Sequence, residues 1–126
     1  GLLAITAEPL MPSPLAAILI GAVGGVIVVY GTKFLLSLKI DDVVGAIPAH
    51  LFAGIWGTLA VPITNPDTSF GTQLLGVVSI NVFVFAVSFV IWFLMKNTFG
   101  IRLSKEGELK GTDVTETGVI AYAIRD

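Results

Sequence analysis

The chain has 126 residues, of which 55% are hydrophobic and 13% charged, with a formal net charge of −2 and a mean hydropathy of +0.93. A soluble domain carries about 25% charged residues, so this composition argues against a soluble fold, and the slightly negative charge argues against a nucleic-acid partner. With no cysteine, a disulfide framework and a thiolate metal site are both excluded.

The charges that are present are unevenly spread. Residues 9–32, 43–66 and 68–95 hold no Asp, Glu, Lys or Arg, in runs of 24, 24 and 28 residues. A bilayer core about 30 Å thick is crossed by roughly 20 residues of helix, so each run is long enough to span. The expected fold is an all-α integral membrane bundle with three full transmembrane helices, over about 14–36, 43–63 and 71–97, and a polar tail over 98–126. The leading apolar stretch Gly1-Leu-Leu-Ala-Ile-Thr-Ala7 has no initiator methionine and no signal-peptide pattern. It reads as the end of an earlier span in a longer membrane protein.

The first helix is expected to start at Pro12 and Pro14, since proline in a first turn loses no helical hydrogen bond. Its Gly21-xxx-Gly25 pattern predicts a face for close helix contact in lipid. The second helix is expected to start near Val43, behind Asp41 and Asp42. A carboxylate there caps the free amides of the first turn, while the other acid braces a loop or pairs with Lys39. Pro48 is expected to kink this helix by pressing on the Val44 carbonyl. In the third helix, Trp92 suits an interface anchor, and Gln73 and Ser79 suit packing or capping. The tail reads as a flexible segment whose end, with Val119, Ile120 and Tyr122, docks on a partner surface.

His50 is the single histidine. Counted from Val43 it lies about 10–12 Å along the second helix, flanked at helical spacing by Ala46, Ala49, Ala53, Gly54, Gly57 and Thr58. A surface of small residues points to a protein interior or a pore wall rather than to lipid. An apolar surrounding without a carboxylate in the same span favours the neutral imidazole, which offers one donor and one acceptor. Such a ring can bind a small polar solute or relay a proton. It can equally be a packed histidine bonded to a backbone carbonyl of a neighbouring helix. No serine–histidine–acid set, metal-ligand cluster or phosphate loop occurs, so neither a cofactor nor an enzymatic activity is expected.

Lys39-Ile-Asp-Asp-Val-Val-Gly-Ala-Ile-Pro-Ala-His50, continued by Ala53-Gly-Ile-Trp-Gly-Thr-Leu-Ala60, resembles the histidine-bearing helix of the Amt/Rh ammonium transporters. Gly1-Leu-Leu-Ala-Ile-Thr6 is similar to the end of the family's preceding signature helix. Gly100-Ile-Arg102, Gly111-Thr-Asp113, Gly118 and Ala121-Tyr122 resemble its cytoplasmic tail. The resemblance implies an eleven-helix, inverted-repeat bundle assembled as a homotrimer with one pore per subunit, of which this chain is about the last third. It implies that His50 is the second of two pore histidines in contact midway through the membrane. The first histidine, the phenylalanine gate and the outer cation-recruiting residues then lie outside this chain, which forms no pore alone. Asp41, Asp42 and Pro48 become structural residues of the histidine helix. Gly100, Arg102, Gly111, Asp113, Gly118 and Tyr122 become structural or regulatory residues of a tail that couples subunits and meets a PII-type signal protein. The chain departs from the family pattern at Leu51, where glycine usually follows the histidine. The tail departs at Thr112-Asp113 and Glu116-Thr117-Gly118. These tail changes bear on regulation more than on transport.

The expected function is ammonium or ammonia transport through a histidine-lined apolar pore. An ammonium sensor on the same scaffold and a structural subunit of another membrane complex are the alternatives. Lys33 and Lys39 lie between the first two charge-free runs, and Lys96, Arg102, Lys105, Lys110 and Arg125 follow the third, whereas 64–70 has no basic residue. The positive-inside rule puts 34–42 and the tail in the cytoplasm, and 64–70 and the N-terminal end outside, in a multi-pass protein of the cell (inner) membrane. A cysteine in place of Asp67 is therefore expected to react with an impermeant maleimide in intact cells. Labelling only after permeabilisation reverses the topology.

Overall fold

The computed structural model describes residues 1–120, which are helical throughout their regular structure and contain no strand. The order is α1 (Leu2–Ile5), α2 (Pro14–Ser37), a π turn (Ile47–Phe52) that runs into α3 (Ala53–Thr64), α4 (Phe70–Thr98), α5 (Lys105–Lys110) and a second π turn (Asp113–Thr117). Three of the described helical segments are long and apolar enough to cross a membrane: Pro14–Ser37, Ile47–Thr64 and Phe70–Thr98. The chain divides into two compact units, Gly1–Phe83 and Val84–Asp126.

In the first unit, Ser13 opens α2. Its Oγ accepts from the Ala16 amide at 3.3 Å, and Pro14 occupies the first helical position, where its missing N–H leaves nothing unpaired. The helix closes with Lys39 N–H on the Leu36 carbonyl and Ile40 N–H on the Leu35 carbonyl, at 3.0 and 3.1 Å. This is a Schellman closure, with Lys39 in the left-handed region at φ 57°.

The contact face of α2 matches the expected one in part: a side chain at Gly21 would meet the Gly1 carbonyl oxygen at 3.5 Å. Gly25 faces open space, whereas Ile20, Gly24, Gly31 and Leu35 are the buried positions. They lie on one side because they follow helical spacing. The short α1 packs by its backbone into the crease between α2 and α3. Ala4 is 1% exposed. A side chain at Gly24 would meet the Ala4 Cβ at 2.6 Å, and one at Gly57 would overlap the Ala4 carbonyl oxygen. Trp56 ties the same helices together, its Nε1–H donating to the Ile20 carbonyl at 3.0 Å. Ala4, Ile20 and Ala60, with Ile5 and Trp56 against them, form the core. At the other end of α3, Asn65 accepts the Asp67 amide on Oδ1 and donates from Nδ2 to Glu8 Oε2, both at 3.0 Å. The α3–α4 loop is thereby held to the segment that follows α1.

Helix α4 starts with Ser69 Oγ accepting the Thr72 amide at 3.1 Å and has no buried residue along its length. In the second unit, Phe85, Phe89 and Phe93 stack in a ladder with ring centroids 6.1 and 6.2 Å apart. The tail, expected to be flexible through residue 126, contains local structure. Ser104 caps α5 through the Gly107 amide at 3.1 Å. Gly107 is buried against Thr115, whose hydroxyl donates to the Gly107 and Gly111 carbonyls at 3.2 and 2.9 Å. The expected docking end at Tyr122 lies outside the described residues.

Gly57→Ala is expected to lower stability by about 1–3 kcal/mol through overpacking against α1. Trp56→Phe is expected to lose about 1 kcal/mol with its one hydrogen bond. Both are measured as shifts in thermal unfolding of the purified, detergent-solubilised protein.

Candidate functional site

Asp42 determines where the histidine helix begins. Its two carboxylate oxygens accept the amides of Ala46 and Ile47 at 2.9 and 2.8 Å, satisfying donors that a helix start leaves free. The helix therefore starts at Ile47 rather than at Val43, behind a turn in which Gly45 has φ 67°. Asp41 is exposed and, among the described residues, makes no ion pair with Lys39. The expected mid-helix kink at Pro48 is also replaced. Pro48 is the second residue of the helical segment, where no helical bond to its nitrogen is lost, and it is fully buried. From it the backbone runs as a π turn, with the Ala53 amide bonded to the carbonyls of Pro48 and His50.

The π turn redistributes the small residues around His50. Pro48, Ala53, Gly57, Ala60 and Val61 are the buried positions of this span. The step from 48 to 53 is five residues, one longer than an α-helical ring allows. Ala53 and Gly57, expected to share the face of His50, are instead buried. Gly54 and Thr58 remain with His50, which is exposed and stands in the helix's first turn rather than about 10 Å along it.

His50, Gly54 and Thr58 line an open cavity of about 330 Å³ whose other wall is the first half of α4, with Gln73, Gly76 and Asn81. The glycines leave room, while Leu51, Ile55, Val77 and Ile80 make the remaining surface apolar. From Gln73 to Asn81 the wall extends ~12 Å, at 1.5 Å per residue. The His50 ring is exposed and has no hydrogen bond to another described residue. Asn81 donates to the Val77 carbonyl at 2.7 Å. Pro62 sits inside α3 and supplies no N–H to the Thr58 carbonyl four residues back. The cavity thus offers an imidazole, a hydroxyl and two amides spaced along an apolar surface. Such groups are able to exchange hydrogen bonds with a small polar solute. No group of side chains that could hold a metal ion occurs among the described residues.

Gln73, expected as a packing or capping residue, lines the cavity together with Asn81, for which the sequence carries no expectation. Both are polar interruptions of a highly apolar helix, and Asn81 lies eight residues from Gln73, which puts the two on neighbouring faces. That spacing was the available signal. Ser79 is exposed and does not line the cavity.

A model of the Ammonium Transporter Family matches residues 1–122. The chain belongs to this family. It is 34% identical to the ammonium transporter Amt2 of Archaeoglobus fulgidus over 97% of the chain and 30% of that protein. A putative ammonium transporter of Synechocystis is 39% identical over 94% of the chain and 27% of its own length. The ammonium transporter Amt1 of Haloferax mediterranei is 35% identical over 97% and 25%. The chain therefore spans less than a third of the length of these relatives. Family membership and the three apolar helices make it a membrane protein of a transporter family.

Of the tail residues singled out by their resemblance to the family, Gly100, Arg102, Gly111, Asp113 and Gly118 lie among the described residues. Gly100, Gly111 and Gly118 have φ of 74°, 97° and 68°, a region that residues with a Cβ rarely adopt. Gly100 ends α4 with its amide on the Met95 carbonyl at 3.2 Å. Asp113 opens the second π turn, and its carbonyl accepts the Thr117 hydroxyl. Arg102 grips the Glu108 carboxylate through both Nε and Nη2, the latter at 3.2 Å. The Arg102 hydrogen bonds hold the Glu108 pKa below its usual 4.5, aided by the positive charge and opposed by desolvation.

A lowered folded-state pKa contributes stability above the unfolded value that is lost as pH falls through the folded one. The α5 segment is accordingly expected to loosen only as pH drops below about 4.5. Hydrogen exchange at 103–111 measures this, and Glu108→Gln should remove the pH dependence. The exposure of the pair keeps the effect small.

Proposed function

We propose that this chain supplies a histidine-bearing wall of the pore through which an ammonium transporter passes ammonium or ammonia. The observation that carries this reading is the His50 ring on the 330 Å³ cavity, without a bond to a described residue and facing polar groups on an apolar surface. A neutral imidazole exchanges hydrogen bonds with ammonia as donor and as acceptor. Apolar walls disfavour an ion carrying its full hydration shell. The relatives named as ammonium transporters supply the solute.

In this reading His50 lies near the cytoplasmic start of its span, because the Lys- and Arg-bearing segments flank that side. The intact protein is proposed to be a homotrimer of the cell membrane, with its tail at the cytoplasmic face and open to a PII-type signal protein. The family departures at Thr112 and Thr117 lie in the tail, whereas the described cavity is built from residues 50–81.

In the intact transporter reconstituted into vesicles, His50→Ala is expected to reduce labelled methylammonium uptake by about tenfold or more, equivalent to one lost hydrogen bond of about 1.4 kcal/mol. A loss of selectivity against potassium current counts equally. Leu51→Gly is expected to be mild, because Leu51 fills space beside the ring. Uptake and selectivity like the parent's in His50→Ala, at equal protein amount, overturn the assignment.

A further inference from the structure

An unbroken α-helix carried back from Ala53 would place Ala49 and His50, its i−4 and i−3 neighbours, on the buried face toward α2. The structure places Pro48 there instead. The π turn takes up one extra residue, which rotates what precedes it by roughly 100° relative to α3. His50 is thereby carried round to the cavity while Ala53 and Gly57 keep their buried positions.

One contact holds the turn in this register. The Pro48 ring, fully buried, seats against α2 at Gly31. There, an added Cβ would lie 2.6 Å from Phe52 Cδ2 and 3.1 Å from Pro48 Cβ. Any side chain at 31 would therefore push the turn away at both of its ends.

We propose that Gly31 and Pro48 form a seat that sets the rotation of the π turn, making them positioning residues that aim His50 into the cavity. The seat rests on the reading of that cavity as a solute path, but its geometry can be tested without transport.

The test uses the intact transporter, free of other thiols, carrying His50→Cys. The rate of modification by a small water-soluble methanethiosulfonate is measured from the aqueous phase. The parent is expected to react readily. Adding Pro48→Ala or Gly31→Ala is expected to slow the reaction by about tenfold, as when the exposed orientation becomes the minor state. The same additions should leave Asn81→Cys reacting at its own rate. Adding Phe52→Ala to Gly31→Ala is expected to restore the rate, because the ring that the new methyl strikes is gone.

An unchanged His50→Cys rate with both Pro48→Ala and Gly31→Ala overturns the seat. So does equal slowing at both thiol positions, which reports a general collapse. If the rates shift as expected while His50→Ala transports normally, the seat stands and the conduction role of His50 falls.

Discussion

At the middle of the first unit a proline ring lies against a glycine. Gly31 removes the side chain that would stand between α2 and the π turn, and Pro48 fills the space with a rigid body that needs no hydrogen bond at its nitrogen. The rest of the unit follows from that contact. The π turn places Ala53 and Gly57 inward, Gly57 admits the Ala4 backbone, and α1 closes the crease between α2 and α3. The same turn directs His50 away from the packed side. Helix packing and the orientation of the candidate functional residue are thus consequences of one register.

This way of packing suits a membrane solvent. Between helices surrounded by lipid the hydrophobic effect contributes little, so close approach of backbones and individual hydrogen bonds carry more of the stability. Gly24, Gly31 and Gly57 provide the close approaches, and the Trp56 to Ile20 bond provides the polar link. Among the described residues, the core hydrophobics Ala4, Ile20, Leu35, Ala53, Ala60 and Val61 are few for a chain that is 55% hydrophobic. Most of its large apolar side chains, including most of those of α4, are exposed. Such a surface suits helices that are long and apolar enough to cross a membrane.

The two units divide the chemistry. The cavity of the first combines a ring, a hydroxyl and two amides with apolar walls, and contains no carboxylate or ammonium. It can exchange hydrogen bonds with a small solute without trapping it as a fixed counter-ion would. The tail of the second holds the exposed Arg102–Glu108 pair and three glycines in the left-handed region, and those features set a local shape. Thr112 and Thr117 stand at the cap and the last residue of its second π segment.

Hydropathy alone determined the all-helical membrane class and three spanning segments, because charge-free runs of 24 or more residues have few other uses in a folded chain. The lone histidine and the motif around it located the candidate site, and the Asp-Asp pair signalled a cap. The tertiary structure decided which acid caps, where the helix starts and which small residues share the histidine's face. Helical periodicity assigns faces only while the period holds, and the extra residue of the π turn breaks it between Pro48 and Ala53. Ala53 and Gly57 therefore moved inward, Gly54 and Thr58 stayed with His50, and α4 brought Gln73 and Asn81 opposite. That juxtaposition joins side chains far apart in sequence, from 15 residues (Thr58 to Gln73) to 31 (His50 to Asn81). It depends on the register at which two helices pass each other, which no single segment's pattern encodes.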